Sequence, residues 1–149
     1  MLDEPPVGTR QATRARMALE NVCSGVKLAD LADYYDADLV DHVNGRTYRG
    51  HEGVRESVST YQRLFKDLRF DVVQQVSEGD SVASHFVVHG THRGRRVRLT
   101  GIVISKVRDD KVVEDFAVTD TVDLVRQLGL WRTLLLVATQ PHLLRHESA

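Results

Sequence analysis

Four runs of alternating residues fill the middle of the chain, and almost nothing separates them. LRFDVVQQV, SVASHFVVHGTH, RVRLTGIVISKV and KVVEDFAVT are divided only by Glu78-Gly79-Asp80, Arg93-Gly94 and Asp109-Asp110. Strands joined this tightly pair with their neighbours in antiparallel fashion, because a parallel crossover needs roughly a dozen residues. A meander of long strands is therefore the fixed frame against which the rest must pack. Long, strongly twisted strands curl, and helices laid over a curled sheet close a cone with a hollow interior.

The preceding residues supply the helices. Thr9 is placed to cap a helix carrying Ala15, Leu19, Val22 and Cys23 at helical spacing and ending near Gly25. Leu28, Leu31, Ala32 and Tyr35 share one face of a second, short helix. Asn44-Gly45 is a hairpin-turn pair, so Leu39 to Val43 and Arg46 to Tyr48 read as a small ribbon. From Glu52 to Lys66, Val54, Val58, Tyr61 and Phe65 form the apolar stripe of an amphipathic helix. Helices first and a curled antiparallel sheet afterwards make one α+β domain over residues 1–149, with an unstructured start over 1–8. The Leu-rich segment 131–149, broken by Pro141, reads as an extra helical tail.

Composition narrows the function classes. A formal net charge of -1 argues against generic nucleic-acid binding, which calls for a basic excess. Cys23 is the single cysteine, so neither an intramolecular disulfide nor a Cys-rich metal site is available. The acidic, Pro-containing N-terminus is unlike a signal peptide, and no apolar run approaches the roughly eighteen residues of a membrane span. A cytoplasmic protein without a membrane partner is expected.

Several side chains suggest chemistry. Alternation on the last strand puts Glu114, Phe116, Val118 and Asp120 on one face, so an inward Phe116 brings Asp120 to the pocket wall. A desolvated carboxylate there would serve as a general acid or base. Asp120 also stands where a helix N-cap belongs, before Thr121 and three residues ahead of Asp123. His92 closes the inward set Val82, Ser84, Phe86 and Val88, at the mouth of the cone, or else sits on an exposed turn. Asp41-His42 offers a second polar pair, whose ordinary reading is a turn cap beside an exposed histidine. His85 and His89 lie four residues apart on a strand, about 13 Å, too far to share a zinc ion. The arginines at 93, 95, 96 and 98 read as a solvated hairpin rim. No metal is expected. Neither a Gly-rich phosphate loop nor a nucleophile elbow is present.

The order ADLVDH, GHEGVRESV, EGDSVASHFVVHGTHRG and GIVISKVRDDKVVEDFAVTDTVDLVRQLGL resembles the SnoaL-like polyketide cyclases of the NTF2-like superfamily, over roughly residues 11 to 130. The resemblance implies a cone-shaped α+β barrel with N-terminal helices enclosing an apolar pocket, often dimeric, working without a cofactor. It matches Asp120 to the acid/base aspartate of the cyclases, and His42 and His92 to histidines of the Asp-His and Gly-Thr-His motifs. The usual Glu-His-Trp-Asp of the last strand is here Glu114-Asp115-Phe116-Ala117.

The function expected on this basis is a cofactor-independent cyclase, of lyase or isomerase type. It would close a ring in an extended, mostly apolar intermediate of specialised metabolism such as antibiotic biosynthesis. Asp120, His92 and His42 are the expected catalytic residues. Tyr35, Tyr61, Phe65, Phe86, Phe116 and Glu114 are the expected substrate contacts, and a homodimer is the expected assembly. Two alternatives stand beside it. One is epoxide opening, which requires paired carboxylates such as Asp120 with Asp41 or Asp38. The other is a ligand-binding module without turnover.

Overall fold

The computed structural model describes residues 7–129, together with 134, 138 and 139. In order these are α1 (Val7–Met17), a π-helical turn (Ala18–Cys23), a 3-10 turn (Leu28–Asp30), α2 (Leu31–Tyr34), β1 (Tyr35–Val43), β2 (Arg46–Arg49) and α3 (Gly50–Leu64). There follow β3 (Lys66–Glu78), β4 (Ser81–His92), β5 (Arg95–Arg108), β6 (Lys111–Thr119) and α4 (Thr121–Leu128). The first helix begins at Val7, so Thr9 lies inside it rather than capping it, and its carbonyl accepts from the Thr13 hydroxyl. The helical stretch ends at Gly25, whose positive φ of 75° turns the chain away. Tyr35 opens a strand instead of closing a helix. Residues 1–6 and nearly all of the expected tail lie outside the described residues.

The strands form one six-stranded sheet in the order β2-β1-β6-β5-β4-β3. The meander from β3 to β6 is antiparallel as its short turns require, and Asn44-Gly45 makes the expected hairpin, both residues at positive φ. Asp109 and Asp110 take positive φ without being glycine. Arg10 holds the Asp110 carboxylate there in a two-pronged ion pair.

One pairing departs from the antiparallel pattern. β1 runs parallel to β6, placing Asp41 opposite Asp115 and Val43 opposite Ala117. The ribbon β1-β2 is thereby an extension of the main sheet. Bulges supply the curl. On β6, Val112 pairs with Val107 and Glu114 with Lys106, leaving Val113 as an extra residue; the β3-β4 ladder shifts register twice more.

Helices α1 and α3 and the π-helical turn cover the concave face. Their apolar stripes meet the inward strand residues: Val22, Val54 and Val58 pack with Leu39, Val82 and Val112, all nearly solvent-free. A second cluster, Phe70, Phe86, Val88, Leu99 and Val103, continues toward the open end. Each such side chain contributes about 1.5–3 kcal/mol by leaving water. A third group, Leu64, Phe65, Val97 and Leu128, seats the end of α4.

Candidate active site

Between the first two clusters the packing leaves a small cavity of about 40 Å³. Its wall is apolar for the most part: Leu19, Val43, Val54, Val58, Phe70, Phe86, Val103 and Ala117, with Tyr61 leaning edge-on to Phe70. Six polar groups interrupt it, the Tyr61 hydroxyl and Cys23, Tyr35, Asp41, Ser57 and Asp115. None of the lining residues is a lysine, arginine or histidine. A cavity of this size admits about three water-sized groups, too few to enclose the whole of an extended chain.

The two carboxylates are neighbours. Asp41 on β1 and Asp115 on β6 are partners in a parallel ladder, where adjacent strands lie about 4.8 Å apart, and both point to the concave side. Burial disfavours their charged forms. It pushes Asp115 up to about 6, opposed by the Ser105 hydroxyl, which donates to Asp115 Oδ1 at 2.5 Å. Asp41 is raised well above the usual carboxylate range by burial and then by the Asp115 charge beside it. Lying side by side in a mostly apolar wall, the two carboxylates oppose each other's ionisation. Burial likewise pushes the Cys23 thiol up to about 12, and the Tyr35 hydroxyl, 3.4 Å from its sulfur, well above its ordinary value. Both stay neutral at physiological pH.

The residues expected at the site fall into two groups. Tyr35, Tyr61 and Phe86 line the cavity. The others do not. Phe116 is 58% exposed on the convex face, so the strand face assumed for it is corrected, and Asp120 goes with it. Asp120 is exposed, and its carboxylate accepts from the Asp123 backbone N–H at 2.9 Å, the N-cap of α4. The extra residue Val113 is the physical reason: it reverses the alternation, so that Val112 and Asp115 both face inward.

Glu114 is turned outward and pairs with Lys106 at 2.6 Å. His42 shares that convex side, with its ring 5.6 Å from Phe116 and Nδ1 3.1 Å from the Thr47 hydroxyl. His92 is buried, as its strand face required, but its Nδ1–H donates to the Leu64 carbonyl at 2.7 Å and its ring lies edge-on to Phe65. These two residues tie the end of α3 to β4 beyond the cavity.

Comparison with known proteins fits this geometry. The family model of the SnoaL-like polyketide cyclases matches residues 13–128. The chain belongs to the SnoaL-like polyketide cyclases. Among solved structures, this SnoaL-like chain is similar to a loop-truncation variant of IdmH, at 29% identity and TM-score 0.72 over 80% of this chain and 99% of the other. Wild-type IdmH from Streptomyces antibioticus, named as a candidate polyketide cyclase, gives 26% identity and the same TM-score and coverage. A protein of ketosteroid isomerase-like fold from Catenulispora acidiphila shares the architecture, at 16% identity and TM-score 0.68 over 76% of this chain and 91% of that one. No curated protein matches the chain. Among the described residues no helix is long and apolar enough to cross a membrane.

Within the SnoaL-like frame the departure at Glu114-Asp115-Phe116-Ala117 gains a meaning. Asp115 stands at the place of the histidine in Glu-His-Trp-Asp, a carboxylate where that pattern carries an imidazole, and it is the member that faces the cavity. That substitution was the available signal for Asp115. Ser105 carried none, since a serine in an alternating strand reads as ordinary.

Proposed function

We propose that this SnoaL-like protein catalyses ring closure through enolisation, with Asp115 as the base and Asp41 as the acid. The observation that carries the reading is two carboxylates side by side at one largely apolar cavity, both with raised proton affinity. Asp115 takes a proton from the carbon next to a ketone; the C–H electron pair forms the C=C bond of the enol, and the C=O π pair moves onto oxygen, which receives the Asp41 proton. The enol carbon then attacks a second carbonyl of the same molecule. The new alkoxide recovers the proton held by Asp115, and Asp41 regains its own as the enol returns to ketone. Atoms balance and no redox partner is needed. A dry wall strengthens both hydrogen bonds, and holding the two carbonyls together supplies much of the rate.

The narrow cavity limits what enters to the reacting ketone and its nearest carbons, while the remainder of an apolar chain lies toward the mouth. The paired carboxylates also suit epoxide opening, where Asp41 would protonate the ring oxygen and Asp115 would deprotonate the attacking hydroxyl. A short linear diketone in deuterium oxide separates the two. Enolisation predicts protein-dependent deuterium uptake next to the carbonyl, abolished in Asp115→Asn and in Asp41→Asn. Uptake no faster than in buffer overturns the enolisation reading.

The working unit is read as a homodimer. Ile104 lies opposite Phe116 and Ile102 opposite Val118, and all four are 50–58% exposed, an apolar block on the convex face of the kind that a second subunit covers. A reducing cytoplasm suits the lone Cys23.

A further inference from the structure

The two carboxylates at the cavity are chemically identical, and something must decide which one carries the proton. They share adjacent strands, one cavity, the neutral neighbours Cys23 and Tyr35 and a wall without a cation, while Asp115 is the more buried of the two, which by itself would favour the proton there. One polar contact, made by Asp115 alone, acts the other way. Ser105 on β5, 1% exposed, is the register partner of Asp115 and donates its hydroxyl to Oδ1. Asp41 has no such donor among the described residues. We propose that Ser105 is a positioning residue that keeps Asp115 as the ionised member of the pair and leaves the proton on Asp41.

This rests on the acid/base reading of the pair and adds its direction. A hydroxyl donor stabilises a carboxylate more than a carboxylic acid, because a bond to a charged acceptor is roughly twice as strong as a neutral one. The same bond occupies Oδ1 and leaves Oδ2 as the oxygen that takes a proton from substrate. Burial excludes solvent from replacing the hydroxyl. On this account Ser105 touches no substrate. It acts only through Asp115.

The test is the titration of carbon-13-labelled aspartate side chains by NMR, in the folded protein without substrate, in wild type, Ser105→Ala and Ser105→Thr. The expected wild-type result is one buried aspartate titrating at about 6. In Ser105→Ala that midpoint moves upward by about one pH unit, and the acid limb of the pH–rate profile for deuterium uptake moves with it. Ser105→Thr keeps the hydroxyl and restores both. Ser105→Cys, a weaker donor of similar size, falls between and serves if the alanine variant does not fold. A midpoint unmoved in folded Ser105→Ala, or displaced equally in Ser105→Thr, overturns the proposal. Because the midpoint is read without turnover, a shift that leaves no enzymatic uptake to measure would condemn the enolisation reading and spare the role of Ser105.

Discussion

Replacing Asp115 by asparagine should make the protein more stable while removing its chemistry. Asparagine keeps the shape and the acceptor oxygen facing Ser105 but carries no charge. In the unfolded chain the carboxyl ionises at its ordinary value of 3.8, and in the fold at about 6. At 1.36 kcal/mol per pH unit, keeping the buried charge at pH 8 costs the native state about 3 kcal/mol. The sign follows from proton binding. Between 3.8 and about 6 the folded form holds its proton while the unfolded form has released it, so stability falls as pH rises through that window and is level above it. Asp115→Asn escapes the loss. Urea unfolding at pH 8 should show the variant more stable by about 3 kcal/mol, with an unchanged m value, and the advantage should shrink below about 1 kcal/mol at pH 4. A variant less stable than wild type at pH 8 would refute the argument, since the carboxylate would then be held by interactions stronger than its desolvation.

Two further outcomes follow from the placement of residues. Asp120→Ala should lose about 1 kcal/mol in urea unfolding through the lost cap of α4, while deuterium uptake by the diketone stays at the wild-type rate; a loss of uptake in a folded variant would return Asp120 to the chemistry. Phe116→Glu with Ile104→Lys should convert a dimer to a monomer in sedimentation at micromolar concentration, and an unchanged assembly would place the interface elsewhere.

How far the sequence could be read depended on which rule governed each residue. Turn lengths of two or three residues settled the pairing of β3 to β6, and the Asn44-Gly45 pair settled the ribbon, because turn geometry is local. The stripe on α3 was equally legible. Strand alternation worked for β4, where Val82, Ser84, Phe86, Val88 and His92 are all buried. It failed on β6 because a bulge is one residue long and has no signature of its own in VVEDF. Counting through Val113 as though it were paired turned Phe116 inward and Asp115 outward, and the large aromatic was then trusted over the small Ala117. The parallel contact between β1 and β6 was invisible for another reason: no short connection announces it, and it depends on the whole sheet having curled. Asp41 therefore reads from the sequence as a partner of His42, or across the pocket of Asp120, and not as the neighbour of Asp115; Asp41 and His42, though adjacent, face opposite sides.

That parallel contact also sets when the protein becomes competent. The two acids lie far apart in the chain, on β1 and β6, and no hairpin or helix built along the way unites them. A polypeptide whose final strand has yet to dock carries both carboxylates and, under the proposed mechanism, none of the reactivity. Under that mechanism proton transfer is a property of closure itself, switched on in the same event that seals the sheet.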